Sequence, residues 1–365
     1  MAGAALVAVV LYDVFETVVV PRRTQARWRL APFIFLLWPL WRRLGIHLKP
    51  AWRREDFLGT FAPFALMMVL VIWVVALILG FGLVFHALRE HLRPQPEEFF
   101  SAFYAAGASL LTIGFGDIVP LTTPARIVSL MAGASGLAVV ALVISLTFNL
   151  YGSFARRETL VLLLDARAGA PPSGVTLLET YAEKRIVGEL SGVFQQYELW
   201  TAELLDSHLA YPILPFFRSS HDGQSWISAL GAVLDAATLL ITAVSEPSGT
   251  CGGELRLAQA AAEMMYHMGC HALVDLTQLR LVRKRAKFAE EAGIERAEFE
   301  TACQRLARAG YSIESGDRAW QTFVEHRSVY ATRLNAMARY LASPPTQWIG
   351  DRTVLAQHRR QHLQG

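Results

Sequence analysis

Three cysteines, Cys251, Cys270 and Cys303, are all that the 365 residues contain. The number is odd and no paired spacing occurs, so no disulfide framework holds this chain, and the usage fits a reducing cytosol for the half that carries them. Charge is scarce too: 18% of residues are Asp, Glu, Lys or Arg, and the formal net charge is +3. With neither a basic arm interleaved with aromatics nor a zinc-finger spacing, nucleic acid is excluded as an expected partner. A Gly-x-Gly-x-x-Gly turn and a Gly-x-x-x-x-Gly-Lys-Ser/Thr run are both missing, so neither a nucleotide fold nor a phosphate loop is expected. No enzyme motif stands in the C-terminal half. No apolar segment carries arginine at every third residue, the pattern a voltage sensor needs to move charge across a membrane.

Apolar residues, by contrast, make up 53% of the chain, and the mean hydropathy is +0.32. That is high for a protein that is wholly in water. Residues 64 to 85 are 22 consecutive uncharged positions, and 127 to 155 are 29 more, each longer than the ~20 that a helix needs to cross a bilayer. Residues 2 to 20 form a third candidate span, although Asp13 and Glu16 lie within it at about 3 kcal/mol each if they face lipid. Those two carboxylates, three positions apart, share a helix face. Pairing with nearby Arg or polar groups is one account of them, and a proton-sensing or gating contact is the other. Positive charge at Arg22 and Arg23 follows the first apolar stretch, the reverse of a cleaved signal peptide. Leu30 to Trp41 would reach only about 18 Å as a helix and contains Pro32 and Pro39. It is expected to be broken there and to lie along the membrane surface, anchored by Trp28, Trp38, Trp41 and neighbouring arginines.

Residues 21 to 58 hold nine Lys and Arg, whereas 86 to 126 hold three together with four acids. The excess of positive charge marks the first loop as cytoplasmic. The chain would then start outside, cross inward, return outward through 61 to 88 and re-enter through 124 to 152, leaving everything after about residue 158 inside the cell. His86 and His91 would lie outside, as candidate pH sensors.

Between the two long spans, Pro94, Pro96, Glu97 and Glu98 precede the apolar run Phe99 to Leu111. Prolines and acids suit a helix N-terminus, and a helix this short cannot span the bilayer, so it should enter partway and stop. Residues 112 to 117 follow as Thr-Ile-Gly-Phe-Gly-Asp. Non-helical backbone at that depth is tolerated only where it is buried in protein or lines a water-filled path. Gly114 and Gly116 readily take the positive φ that turns successive carbonyls to one side. Carbonyl oxygens of Thr112, Ile113, Gly114 and Phe115, with the Thr112 hydroxyl, can then replace the water shell of a dehydrated cation when several chains surround one axis.

At this point the sequence resembles the potassium channel pore-loop family, whose filter signature is Thr-Val/Ile-Gly-Tyr/Phe-Gly-Asp. The resemblance covers roughly residues 60 to 155. It implies a selectivity filter at Thr112, Ile113, Gly114, Phe115 and Gly116, K⁺ as the permeant ion with no other cofactor, and Asp117 at the outer mouth. It also implies a hinge glycine at Gly136. One pore loop supplies a quarter of an oxygen cage, so a homotetramer is expected. Two features depart from the family: Ala108 stands where many relatives carry an acid or hydroxyl that braces the filter, and Tyr104 and Ala105 stand where paired tryptophans are common. Both bear on filter stability and inactivation.

The second long span is rich in small residues from Gly133 to Ala138, which would serve either close packing in lipid or bending at Gly136. Val140, Ile144 and Phe148 continue at helical spacing as a candidate apolar gate. Past Arg157, helices are expected near 176 to 209, 224 to 245, 253 to 291, 294 to 309 and 316 to 342, the first opening on a capping box at Thr176 and Glu179. Residues 226 to 244 read as a buried bundle helix or as another span. His267, Cys270 and His271 share a helix, as solvated side chains or as a metal pair at His267 and His271. Arg280, Arg283, Lys284, Arg285 and Lys287 form a basic run that suits a solvated face or anionic lipid.

The fold class is thus an all-α membrane protein: an N-terminal membrane helix and interfacial segment (1–58), a pore-loop channel domain (59–157) and a cytoplasmic helical bundle (158–365) open to an unknown regulatory ligand or protein. A multi-pass subunit of a K⁺-selective, voltage-independent channel in a cell membrane is the function the resemblance implies. A weakly selective cation channel and a membrane sensor that signals through its C-terminal bundle are the alternatives.

Overall fold

The computed structural model describes residues 1–20, 31–219, 224–245, 252–278, 293–314 and 316–348. Among them regular structure is helical apart from one two-stranded ladder and an isolated bridge. The chain divides into two compact units, Met1–Trp41 with Thr60–Gly152, and Arg42–Gly59 with Ser153–Gly365. Residues 1 to 58, read above as one segment, are therefore shared between the two units.

In the first unit, α1 (Ala2–Val18) packs along α4 (Phe61–Ala87). Glycine makes this approach feasible: a Cβ on Gly80 would meet the Val7 side chain at 2.7 Å and the Gly3 carbonyl at 3.2 Å. Further along the same contact, the Trp73 indole donates to Asp13 Oδ2 at 2.7 Å, and Asp13 is buried among Val10, Val14 and Trp73. The Tyr12 hydroxyl donates to Glu16 at 3.0 Å. Both carboxylates thus have polar partners, Trp73 for Asp13 and Tyr12 for Glu16. Among the described residues, two helical stretches are long and apolar enough to cross a membrane, Trp52–Ala87 and Thr123–Ala168.

Pro39 does not break its segment. Helix α2 (Ala31–Gly45) runs through it, forgoing one backbone hydrogen bond, and the short α3 (Ala51–Gly59) follows in the chain. Aromatic packing on either side supports the helix: Trp38 meets Phe61 edge-on at 4.9 Å, and Trp41 stacks on Phe64 at 5.0 Å. Trp28, Arg22 and Arg23 lie outside the described residues. Helix α5 (Phe99–Leu110) starts directly after Glu98, as its prolines and acids predict, and packs on α4, where Gly82 lets the Phe103 backbone approach. Helix α6 (Thr123–Ala168) does not stop near residue 152: it continues without a break for sixteen residues more.

The second unit centres on α9 (Trp226–Thr242), nearly all of whose residues are buried. That settles 226 to 244 as a bundle helix. Around it pack α7 (Gly174–Glu183), α10 (Gly252–Gln278) and α12 (Asp317–Leu341), with α8 (Leu190–Ala210) against α10 and α11 (Arg296–Ala309) against α7. The helix expected over 176 to 209 is two, because the chain turns at Lys184–Ile186 with Arg185 in the left-handed region (φ 57°). Its expected capping box is absent. The N-cap is Ser173, whose Oγ accepts from the Thr176 amide at 3.4 Å, while Glu179 binds Arg305 of α11 at 2.7 Å. The helix starts three residues early because Gly174 alone fits beside α9, where a Cβ would lie 2.6 Å from the Ala232 carbonyl oxygen. A true capping box, Glu295 with Glu298, opens α11.

One ion pair sits at the middle of this unit. Arg327 Nε donates to Asp235 Oδ1 at 2.9 Å, the Tyr330 hydroxyl donates to the same oxygen at 2.7 Å, and a second Arg327 nitrogen donates to the Trp348 carbonyl at 2.9 Å. Burial works against the Arg327 charge, but Asp235, Tyr330 and Glu298 together hold the guanidinium pKa above its usual value. The basic run 280 to 287 and Cys251 lie outside the described residues. Among the described residues no group of three or more His, Cys, Asp and Glu could hold a metal ion, and His271 sits 3.7 Å from Asp275 instead.

Candidate functional site

The loop that follows α5 is closed at its base by the antiparallel ladder β1 (Leu92–Arg93) and β2 (Val119–Pro120), with Leu92 opposite Pro120 and Arg93 opposite Val119. The Leu121 amide adds a bond to the His91 carbonyl at 3.0 Å, so the entry to α5 and the exit from 112–117 are held together. At its other end α5 finishes with the Leu111 amide on the Gly107 carbonyl at 2.9 Å.

Within 112–117 the backbone alternates. Thr112, Gly114 and Gly116 take φ of 54°, 64° and 77°, while Ile113 and Phe115 between them keep negative φ. In a strand successive carbonyls point to opposite sides; a left-handed residue at every second position reverses each alternate peptide and brings the oxygens to one side. Threonine in the left-handed region costs roughly 1–2 kcal/mol and persists only where its surroundings over-determine it. Here the surroundings are the end of α5: the Thr112 amide donates to Ser109 O at 3.1 Å, and the Ile113 and Gly114 amides share Ala108 O at 2.9 and 3.3 Å. Ala108 has no side chain able to brace this segment, and its carbonyl performs that role.

Tyr104 of α5 stacks on Phe115, the rings 6.2 Å apart and within 6° of parallel, and its hydroxyl faces the Asp117 carboxylate. Tyr104 is one of the two positions at which the pore-loop family commonly carries tryptophan. It is the main ring contact of the 112–117 segment, and its place eleven residues before Phe115, on the helix that supports the loop, was the available signal. Asp117 accepts from the Ile118 amide at 3.1 Å and is exposed.

Gly136 of α6 is buried directly behind the end of α5. A Cβ there would fall 2.8 Å from the Leu110 carbonyl carbon, with the carbonyl oxygen nearer still. One turn earlier, Gly133 leaves 3.4 Å to the Ser109 oxygen. The close approach belongs to Gly136, which meets Leu110 two residues before Thr112 in the chain, and α6 is helical through it. Val140, Ile144 and Phe148 follow on an exposed face.

An all-α membrane protein with a short apolar helix and a glycine-interrupted loop between two long apolar helices is the class that this fold and site define. Residues 71–152 match the family model described as ion channel, so this segment is an ion channel domain. Over 215 residues the chain is 21% identical to the uncharacterized membrane protein YdjJ of Bacillus subtilis (strain 168), a match covering 58% of this chain. The chain spans 60% of that relative's length. No solved structure matches.

Proposed function

We propose that the chain is one of four identical subunits of a K⁺-selective, voltage-independent channel, with its filter at Thr112 to Gly116 and its C-terminal domain in the cytoplasm. The alternating left-handed backbone at Thr112, Gly114 and Gly116 carries this reading, because it presents consecutive carbonyl oxygens along one line. Such a line can strip a cation of water only when other copies complete the ring. The single chain leaves that ring open: Ile113 and Phe115 are 51% and 65% exposed, apolar side chains on non-helical backbone at membrane depth. Neighbouring copies would cover them and supply the remaining oxygens. The charge bias between 21–58 and 86–126 orients the pore, and Asp117 stands at its outer mouth to concentrate cations.

The test is the reversal potential of the purified, reconstituted chain in mixed K⁺ and Na⁺, with Gly114→Asp as the blocked reference. Strong preference for K⁺, lost together with current in Gly114→Asp, is expected. A permeability ratio near unity would make this a weakly selective cation channel, the reading that the missing side-chain brace at Ala108 favours.

A further inference from the structure

Below residue 152, helix α6 has two different faces. Ser153, Arg157, Val161, Leu164 and Ala168, at steps of four, four, three and four, are all buried. Arg157, 2% exposed, is fastened there: it donates to the carbonyls of Leu214 at 3.1 Å and Phe217 at 2.8 Å, and the Trp200 indole donates to its own carbonyl at 3.1 Å. At 100° per residue the opposite side carries Tyr151, Ala155, Thr159, Leu162 and Ala166, and every one of these is exposed, Tyr151 at 69% and Leu162 at 48%. The spacing continues that of Ile144 and Phe148 upward on the same helix. Thr159 fits an apolar stripe because its hydroxyl is spent on the Ala155 carbonyl at 2.9 Å, leaving its methyl outward.

From these two faces we infer that the stripe from Tyr151 to Ala166 is an interface between copies of this chain, so that four α6 helices run side by side for about 22 Å past the gate region. The inference rests on the tetramer proposed above. Continuity argues for a second copy as the occupant: the helix that brings Ile144 and Phe148 toward a shared axis is unbroken and keeps the same face through Leu162. The charged neighbours of the stripe are held within the chain, Glu158 by Arg157 at 3.0 Å and Arg156 by Ser153 Oγ at 3.3 Å, which leaves the stripe itself uncharged. The ion would then leave between four helices and not directly into open cytoplasm.

Single cysteines at Ala155, Thr159 and Leu162 of the full-length chain test this, with the exposed Leu199 of α8 as the off-face reference and the parent chain as the background. The cysteines are introduced in a Cys251→Ser chain, where the two native thiols that remain, Cys270 and Cys303, are pushed up to about 11 by burial and should give little background. The purified proteins are oxidised with copper phenanthroline and run on non-reducing gels, and particle mass is measured in parallel. Same-residue links between chains are expected at all three positions, several-fold above Leu199→Cys and the parent chain. A side-by-side parallel arrangement requires this, whereas an antiparallel pair could satisfy at most one position. A tetrameric mass with links no stronger at the three positions than at Leu199 overturns the extended interface and leaves the tetramer standing. Linking at Ala155→Cys alone overturns its continuation to Leu162. A monomeric mass overturns the tetramer itself.

Discussion

Gly136→Ala is the sharpest probe of how α6 supports the loop, because Gly133, one turn away on the same helix, supplies its matched reference. The new methyl at 136 would lie 2.8 Å from the Leu110 carbonyl carbon, where ordinary contact begins at 3.4 Å, so by that atom alone α6 and the end of α5 must part by about 0.6 Å. The carbonyl oxygen demands more. Neither obstacle is a flexible side chain, and Leu110 is followed within two residues by the left-handed Thr112 whose amide hangs on Ser109. Overpacking of this kind costs about 1–3 kcal/mol, against which Ala in place of Gly within a helix returns up to about 1 kcal/mol. At Gly133 the methyl meets only the Ser109 oxygen, at 3.4 Å, so the helix-propensity gain should stand nearly alone. In proteoliposome K⁺ flux, Gly136→Ala is expected to lose most of the current or its selectivity, and Gly133→Ala to keep both. If Gly136 served only as a hinge, its alanine variant would conduct with normal selectivity and altered opening. Normal flux and selectivity in Gly136→Ala, with a tetramer that melts at the wild-type temperature, would refute the steric argument altogether.

Three further outcomes follow from the same structure. Asp235→Asn leaves Arg327 charged in the core and should cost about 3–5 kcal/mol in denaturant melts, whereas a paired Asp235→Leu, Arg327→Met variant should cost far less; equal losses would mean the pair contributes attraction beyond its own desolvation. Ile144→Ser and Phe148→Ser should each raise open probability in single-channel recording, because a polar ring wets more easily than an apolar one, and unchanged opening in both removes the gate from this face. His208 is buried beside Arg157 with its Nδ1–H on the Leu204 carbonyl at 2.7 Å and its ring against Trp226, and burial first, then Arg157, hold its pKa well below 6.5. The unfolded chain therefore takes up a proton before the folded chain does, and stability should fall with pH from about 6.5 downward by as much as ~1.4 kcal/mol per unit. His208→Gln should flatten that slope in melts at pH 7 and pH 5; an unchanged slope would show that other groups set it.

What was legible in the sequence was whatever a local rule decides. Length and lack of charge mark α4 and the upper part of α6, prolines and acids mark the start of α5, and the glycines at 114 and 116 announce positive φ. Thr112 was named for its oxygens, and nothing local says that a threonine would share the glycines' backbone; that comes from Ser109 and Ala108 holding the following amides. The break between α7 and α8 was missed for a similar reason. Lys184-Arg185-Ile186 contains neither Gly nor Pro, yet Arg185 takes φ 57° as the left-handed residue of a helix end, with the Ile186 amide on the Tyr181 carbonyl at 3.0 Å and its own amide on Ala182 at 2.9 Å. The capping box at Thr176 was a sound local pattern overruled by contact: Gly174 is the one residue that lets α7 lie against the α9 backbone, so the start moves to Ser173 and Glu179 is released to bind Arg305.

The lower part of α6 shows most clearly where a single sequence stops being informative. Leu160-Val-Leu-Leu-Leu164 is apolar at every position, so it carries no period and assigns no face. Folding of one chain divides it, burying Val161 and Leu164 while leaving Leu162 and Leu163 at 48% and 40% exposure. A run that is apolar all round is stable only when both sides are covered, one by its own domain and one by something else. If further copies are that something, the same physical demand leaves Ile113 and Phe115 uncovered above and Leu162 uncovered below, and both are met by one ring of subunits. Should cross-links fail at Ala155, Thr159 and Leu162 in a particle of tetrameric mass, the ring around Ile113 and Phe115 would draw all of its closing energy from the membrane segment alone.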